Sequence, residues 1–153
     1  MPLILSILFT IISFFCLSIS QAQEVIVVDG DTIKIDGEKI RFSGIDAPEL
    51  NQTCLKNDLE KACGKLSQIL LKNKVEDQEV NCIREGKDQY GRTLAECFVD
   101  KISISSFMVR EGYAFAYRKY SKKFIEDEEY AKINNNGMWA TEFIFPWNFR
   151  RLK

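Results

Sequence analysis

Valine and isoleucine dominate Glu24–Asp29 (EVIVVD), which predicts a strand turned by Gly30. Ile33 and Ile35 then alternate with polar residues, as do Ile40 and Phe42, and Asp36-Gly37 between them is a strong hairpin signal. Together these predict a three-stranded antiparallel meander that Pro48 ends, followed by a polar loop to about Asp58. The period changes at Leu59, Ala62, Leu66, Ile69 and Leu70, whose spacing predicts a helix over roughly 59–73. Two short strands, 79–84 and 93–99, flank an exposed turn. Ser103 or Ser105 can cap a second helix that carries Ile104, Phe107, Met108 and Val109 and stops at Gly112. Ser121 caps a third, about 122–134, ended by Asn134-Asn135-Asn136-Gly137, and the aromatic tail MWATEFIFPWNFRRLK shows no clear period. Strands and helices in the order β-β-β-α-β-β-α-α predict an α+β, mainly β fold. The expected form is a five-stranded OB-type Greek-key barrel with three helices outside, another α+β sandwich being the alternative.

The apolar run 3–19 lies outside that pattern. It is uncharged and is followed by Ser20-Gln21-Ala22, small residues at the −3 and −1 positions of a signal-peptidase site. Residues 1–22 are therefore expected to be a signal peptide and 23–153 one domain, although no Lys or Arg precedes the run. An uncleaved membrane anchor is the alternative. Both imply export, to the periplasm or the medium. Cysteine usage agrees: Cys16 falls in the run, and Cys54, Cys63, Cys82 and Cys97 remain, an even number suited to an oxidising compartment. Of three possible pairings, 54–63 around a polar loop and 82–97 across a hairpin are favoured. A four-thiolate zinc site competes, without the close cysteine spacing of a zinc knuckle.

Composition limits the chemistry. The chain has 153 residues, 46% of them hydrophobic, no histidine and a net charge of −1. Histidine-dependent nucleases and zinc hydrolases with histidine ligands are excluded. The charge argues against a tight sequence-specific binder of nucleic acid more than against a nuclease that must release its products. Asp31 and Asp46 lie beside strand ends that a meander can bring to one rim, and two carboxylates with a backbone carbonyl and waters suit Ca²⁺ or a similar hard cation. Alone, DGDT is ordinary turn chemistry. Arg41 points away from Ile40 and Phe42, where an arginine is usually just solvated. Glu49 follows a proline, so its carboxylate has a defined direction and could take a proton from water. Arg92 ends the turn KDQYGR, and its planar fork suits phosphate oxygens. A hard cation, a water activator and a phosphate clamp are the three needs of phosphodiester hydrolysis.

The segments VVDGDTIKI, IRFSGIDAPE and DQYGRTLAECFV resemble the signature stretches of the staphylococcal nuclease (thermonuclease) family, and the resemblance spans about residues 24–140. It implies an OB-fold barrel with three helices that hydrolyses DNA and RNA with Ca²⁺. It also implies Arg41, Glu49 and Arg92 as the catalytic trio and Asp31 and Asp46 as side-chain calcium ligands, with Ala47 contributing its carbonyl. Ala47 stands where threonine is usual, and Gln89 where a lysine often helps hold substrate phosphate. Tyr90 fits an aromatic position near the nucleotide. The paired cysteines and the tail FPWNFRR resemble a branch of exported bacterial members. Tyr117, Arg118, Lys119 and Tyr120, with Ser121-Lys122-Lys123, mix cations and rings as phosphate contact and base stacking require, a solvated helix start being the alternative. The expected protein is an exported, monomeric, Ca²⁺-dependent, sugar-nonspecific nuclease that cuts single-stranded DNA and RNA on the 5′-oxygen side. The rival is a weak or inactive OB module that holds single-stranded nucleic acid or oligosaccharide.

Overall fold

Ile33, Ile40 and Phe42 are fully buried, and that alternation folds the first three strands over a common core. The computed structural model describes residues 22–152; the expected signal segment lies almost wholly outside them. β1 (Val25–Val27), β2 (Thr32–Ile35) and β3 (Glu38–Phe42) form the predicted meander. β4 (Ile45–Asp46) follows at once. The loop after it carries an unforeseen hairpin, β5 (Cys54–Lys56) and β6 (Leu59–Lys61). Its turn is Asn57-Asp58, both in the left-handed conformation. Leu59 is therefore a strand residue, and α1 begins at Cys63 and runs to Val75, four residues later than its apolar spacing suggests.

β7 (Asn81–Lys87) and β8 (Thr93–Val99) form the second hairpin, with a bulge between Arg84 and Gly86 that carries β7 beyond its expected end. β9 (Ile102–Ser103) pairs with β8 and leads into α2 (Ile104–Arg110), where Ser103 Oγ accepts from the Ser106 amide. β10 (Phe115–Ala116) pairs with β4. α3 spans Ile125–Ile133, shorter than expected, and Ser121 is not its cap: the Ser121 hydroxyl accepts from the Lys123 amide one turn earlier. The tail forms a 3₁₀ turn (Gly137–Ala140), α4 (Pro146–Phe149) and a last 3₁₀ turn (Arg150–Leu152).

The main sheet runs β1-β2-β3-β8-β7, antiparallel except for the parallel contact of β3 with β8. The result is an α+β fold with a mixed sheet. Among the described residues no backbone ladder joins β7 to β1, but the Gln23 amide does part of that work. It donates to the Val80 carbonyl and accepts from the Val80 N–H, both at 2.9 Å. β7 is exposed along most of its length and carries Arg84, Glu85 and Lys87, charges that discourage edge-to-edge pairing.

Two apolar clusters hold the layers. The larger lies between the sheet, α1 and α2; the smaller gathers Cys54, Cys63, Phe115 and Met138 with Trp139, Phe143, Phe145 and Trp147. Disulfides join Cys54 to Cys63 and Cys82 to Cys97, the favoured pairing. All four thiols are thereby committed, and zinc has no place on them.

Candidate active site

Asp31 sits at the entry to β2, Arg41 in β3 and Asp46 at the end of β4, and strand pairing brings the three together. Thr32 lies opposite Arg41 in the β2–β3 register, so Asp31 approaches the arginine from the neighbouring strand. Arg41 Nη1 donates to Asp31 Oδ1, and Nη2 donates to Asp46 Oδ1 at 2.9 Å. The solvated arginine expected from the strand pattern is instead mostly covered, its side chain only 16% exposed. Asp31 is held further by Thr32 Oγ1 (2.9 Å) and by the Ala47 amide on Oδ2 (2.8 Å).

Helix α1 presses on this rim from below. A methyl group on Gly30 would lie 1.9 Å from Ser67 Oγ, so only glycine lets the helix pack against the β1–β2 turn. Gly64, in the first turn of α1, lies under the Glu49 carbonyl, where a methyl group would come within 1.8 Å of that oxygen. Above it, the side-chain oxygen of the fully buried Gln52 accepts from the Glu49 backbone N–H at 3.2 Å, and the Gln52 backbone N–H donates to the Glu49 carbonyl at 2.7 Å. Glu49 is thus fixed by its backbone while its side chain reaches the site.

The charges are crowded. Burial, assisted by the neighbouring Asp31, pushes the Asp29 carboxyl up to about 6. Burial also raises Asp46, against the opposing pull of Arg150 and Arg41. Both shifts mark carboxylates that a positive group would relieve.

Arg150, from the last turn of the tail, is one such group. Its Nη1 donates to Asp46 Oδ1 (3.1 Å) and Glu49 Oε1 (2.9 Å), and Nη2 to Asp46 Oδ2 (2.8 Å). Sequence reasoning missed it, because the residue lies 104 positions from Asp46 in a segment without periodicity. The RR pair after an aromatic run was the available sign.

Other expected residues stand apart. Arg92 is bound within its own turn, donating from Nε to Asp88 Oδ2 at 2.6 Å, with Tyr90 5.5 Å from its guanidinium. It immediately precedes Thr93, the β8 residue opposite Ile40, so the turn hangs beside the strand that carries Arg41. Tyr90 is 75% and Tyr120 70% exposed. Arg118 pairs with the buried Glu128 at 2.6 Å, and Lys123 with Glu96, so two of the four cations in that segment hold the fold together. Tyr117 stacks on Trp147 at 5.5 Å and 13° and meets Tyr120 edge-on, while Lys119 lies over the Tyr120 ring.

Asp31 and Asp46 offer only oxygen donors, as a hard cation requires. Among the described residues no group of three or more acidic, histidine or cysteine side chains forms a metal cage. Asp31 and Asp46, which Arg41 draws together, are the acidic pair that could hold a cation here.

The sequence profile of the family described as staphylococcal nuclease homologue matches residues 39–141. An uncharacterized endonuclease of Haemophilus influenzae is 33% identical over 96% of this chain and 82% of its own length. A micrococcal nuclease of Shigella flexneri is 30% identical over 86% of this chain and 80% of its own. A succinoglycan biosynthesis protein of Rhizobium meliloti is 32% identical over 76% of this chain and 63% of its own. The chain belongs to the staphylococcal nuclease family. It is a nuclease, a hydrolase of the bonds that link nucleotides.

Proposed function

We propose that the protein is an exported, Ca²⁺-dependent, sugar-nonspecific nuclease that acts as a monomer on single-stranded DNA and RNA. The carrying observation, in a chain of this family, is that Arg41 joins Asp31 to Asp46 and Arg150 joins Asp46 to Glu49. Asp31, Asp46 and the Ala47 carbonyl would hold the ion, which supplies positive charge against the attacked phosphate. Glu49, fixed by Gln52 and Gly64, orients or deprotonates the attacking water. Arg41 neutralises charge on the phosphate as it becomes pentacoordinate. Arg92 joins it by exchanging Asp88 for a phosphate oxygen, and the leaving group is the 5′ oxygen. The exposed Tyr90 and Tyr120, with Tyr117, Lys119 and the part of Arg118 left exposed by its Glu128 pair, form the strand-binding face, where stacking adds about 1–3 kcal/mol per base.

The strand order and the parallel β3–β8 contact support an OB-type barrel, with Gln23 bridging its seam at Val80. The apolar run 3–19 and the two disulfides support export, and among the described residues no helix is long and apolar enough to cross a membrane. Secreted protein beginning at Gln23 is the expected product, read by mass spectrometry.

The mechanism is tested with purified protein on single-stranded DNA and RNA in Ca²⁺, Mg²⁺ or chelator. Ca²⁺-dependent cleavage is expected, abolished by chelator and restored by Ca²⁺. Glu49→Gln should lower turnover by about 10²–10⁴-fold, the usual worth of a positioned acid–base group, with melting temperature nearly unchanged. Full activity in that variant would overturn the role of Glu49. Binding without cleavage under every condition would favour the module that only holds its ligand.

A further inference from the structure

Arg150 is a long arginine at the far end of the chain, yet it makes three hydrogen bonds to two site carboxylates. We propose that Arg150 is a positioning residue of the active site, which clamps Asp46 to Glu49 and competes with the divalent cation for Asp46. The proposal rests on the nuclease reading of that site.

Asp46 is wholly buried, so its carboxylate has no other direction in which to turn. Its Oδ1 already accepts from Arg41 and Arg150, and its Oδ2 accepts from Arg150. A hard cation binds carboxylate oxygens at about 2.3–2.6 Å along those same lone pairs. The Arg150 nitrogens at 2.8 and 3.1 Å from the two oxygens stand in the way. Arg41 and the Arg150 fork take three of the carboxylate's roughly four lone-pair sites, and a cation on the remaining Oδ2 site would lie against the Arg150 charge. One partner must give way. Arg41 is embedded between Asp31 and Asp46, whereas the Arg150 side chain is 39% exposed and sits on a three-residue turn. Arg150 is the group free to leave.

The tail is built to keep it close. Gln52 Nε2 donates to the Ile144 carbonyl at 2.5 Å, and Leu55 and Glu142 exchange backbone hydrogen bonds at 2.9 and 2.8 Å. Trp147, three residues before Arg150, is stacked between Tyr117 (5.5 Å) and Phe145 (4.6 Å). The backbone thus stays anchored while the arginine stem swings. Because Gln52 also fixes the Glu49 backbone, one buried amide sets both ends of the Arg150–Glu49 contact.

Calorimetry of Ca²⁺ binding to the full mature chain tests this with wild type, Arg150→Gln, Arg150→Lys and Arg151→Gln. Arg150→Gln should bind Ca²⁺ about tenfold more tightly. Arg150→Lys should fall between, since lysine keeps the charge and loses the fork. Arg151→Gln, the same charge removed from the exposed next residue, should match wild type. In wild type, the Arg150 Nε–Hε resonance should move on Ca²⁺ addition toward that of exposed arginines. Unchanged affinity in Arg150→Gln with Ca²⁺-dependent cleavage intact overturns the arginine's role and leaves the nuclease reading standing. So does equal tightening in Arg151→Gln, or an Arg150 resonance that does not respond. Absence of Ca²⁺ binding in every variant overturns the calcium reading and this proposal with it.

Discussion

Glu49 shows a candidate residue whose environment is only partly local. Pro48 stiffens the chain before it, but the groups that fix its backbone are the Gln52 side chain and the bare Cα of Gly64 on the next helix. Gly64→Ala would force a methyl group against the Glu49 carbonyl. We expect a loss of about 1–3 kcal/mol, the usual cost of overpacking, seen as a lower melting temperature, together with a fall in kcat as the carboxylate shifts. Retained kcat in a destabilised protein would separate packing from positioning. Arg41 makes the same point from the other side. Its place on a strand was legible from the alternation with Ile40 and Phe42, but the two aspartates that claim it lie 10 and 5 residues away, on other elements.

At the scale of elements, the β5–β6 hairpin is where the apolar spacing misled. Leu59 and Ala62 continue the period of α1, yet Leu59 is 61% exposed on a strand, because Asn57 and Asp58 take the left-handed turn and Cys54 bonds to Cys63 at the helix start. That disulfide, with a Cα–Cα distance of 5.9 Å, staples the hairpin to α1, and the hairpin in turn clasps the tail through Leu55 and Glu142. Replacing both cysteines with serine should cost about 2–3 kcal/mol, as expected for a loop of roughly ten residues. Denaturant titration measures the loss. If the hairpin holds the tail as described, hydrogen exchange in Ile144–Leu152 should rise more than in β2 and β3. Uniform exchange would show the tail to be held by its aromatic packing alone.

For the whole molecule, the decisive connection is the parallel contact of β3 with β8, which carries the Arg92 turn to the strand of Arg41. Glu38 helps secure it, accepting from Thr93 Oγ1 (2.9 Å) and Arg84 Nη2 (2.5 Å) and so tying β3 to both strands of the second hairpin. The Arg84 hydrogen bond, then that of Thr93, lowers the Glu38 carboxyl from 4.5 to about 2. A carboxyl with a depressed folded-state value stabilises the fold above its unfolded value and loses that contribution as the pH falls. The melting-temperature difference between wild type and Glu38→Gln should therefore be present above pH 4.5 and shrink toward zero near pH 2. It should be small throughout, because the pair is exposed. A gap that widens on acidification would contradict the ion pair. The sequence by itself determined the meander, the second hairpin, the two later helices and the side-chain types that suit phosphodiester chemistry, because hydrophobic period, turn residues and side-chain type are local properties. Only the tertiary structure decided which charges meet. It placed Arg41 between Asp31 and Asp46 and left Arg92 with Asp88. It also drew Arg150 from the far end of the chain, since packing and charge act through space without regard to sequence distance.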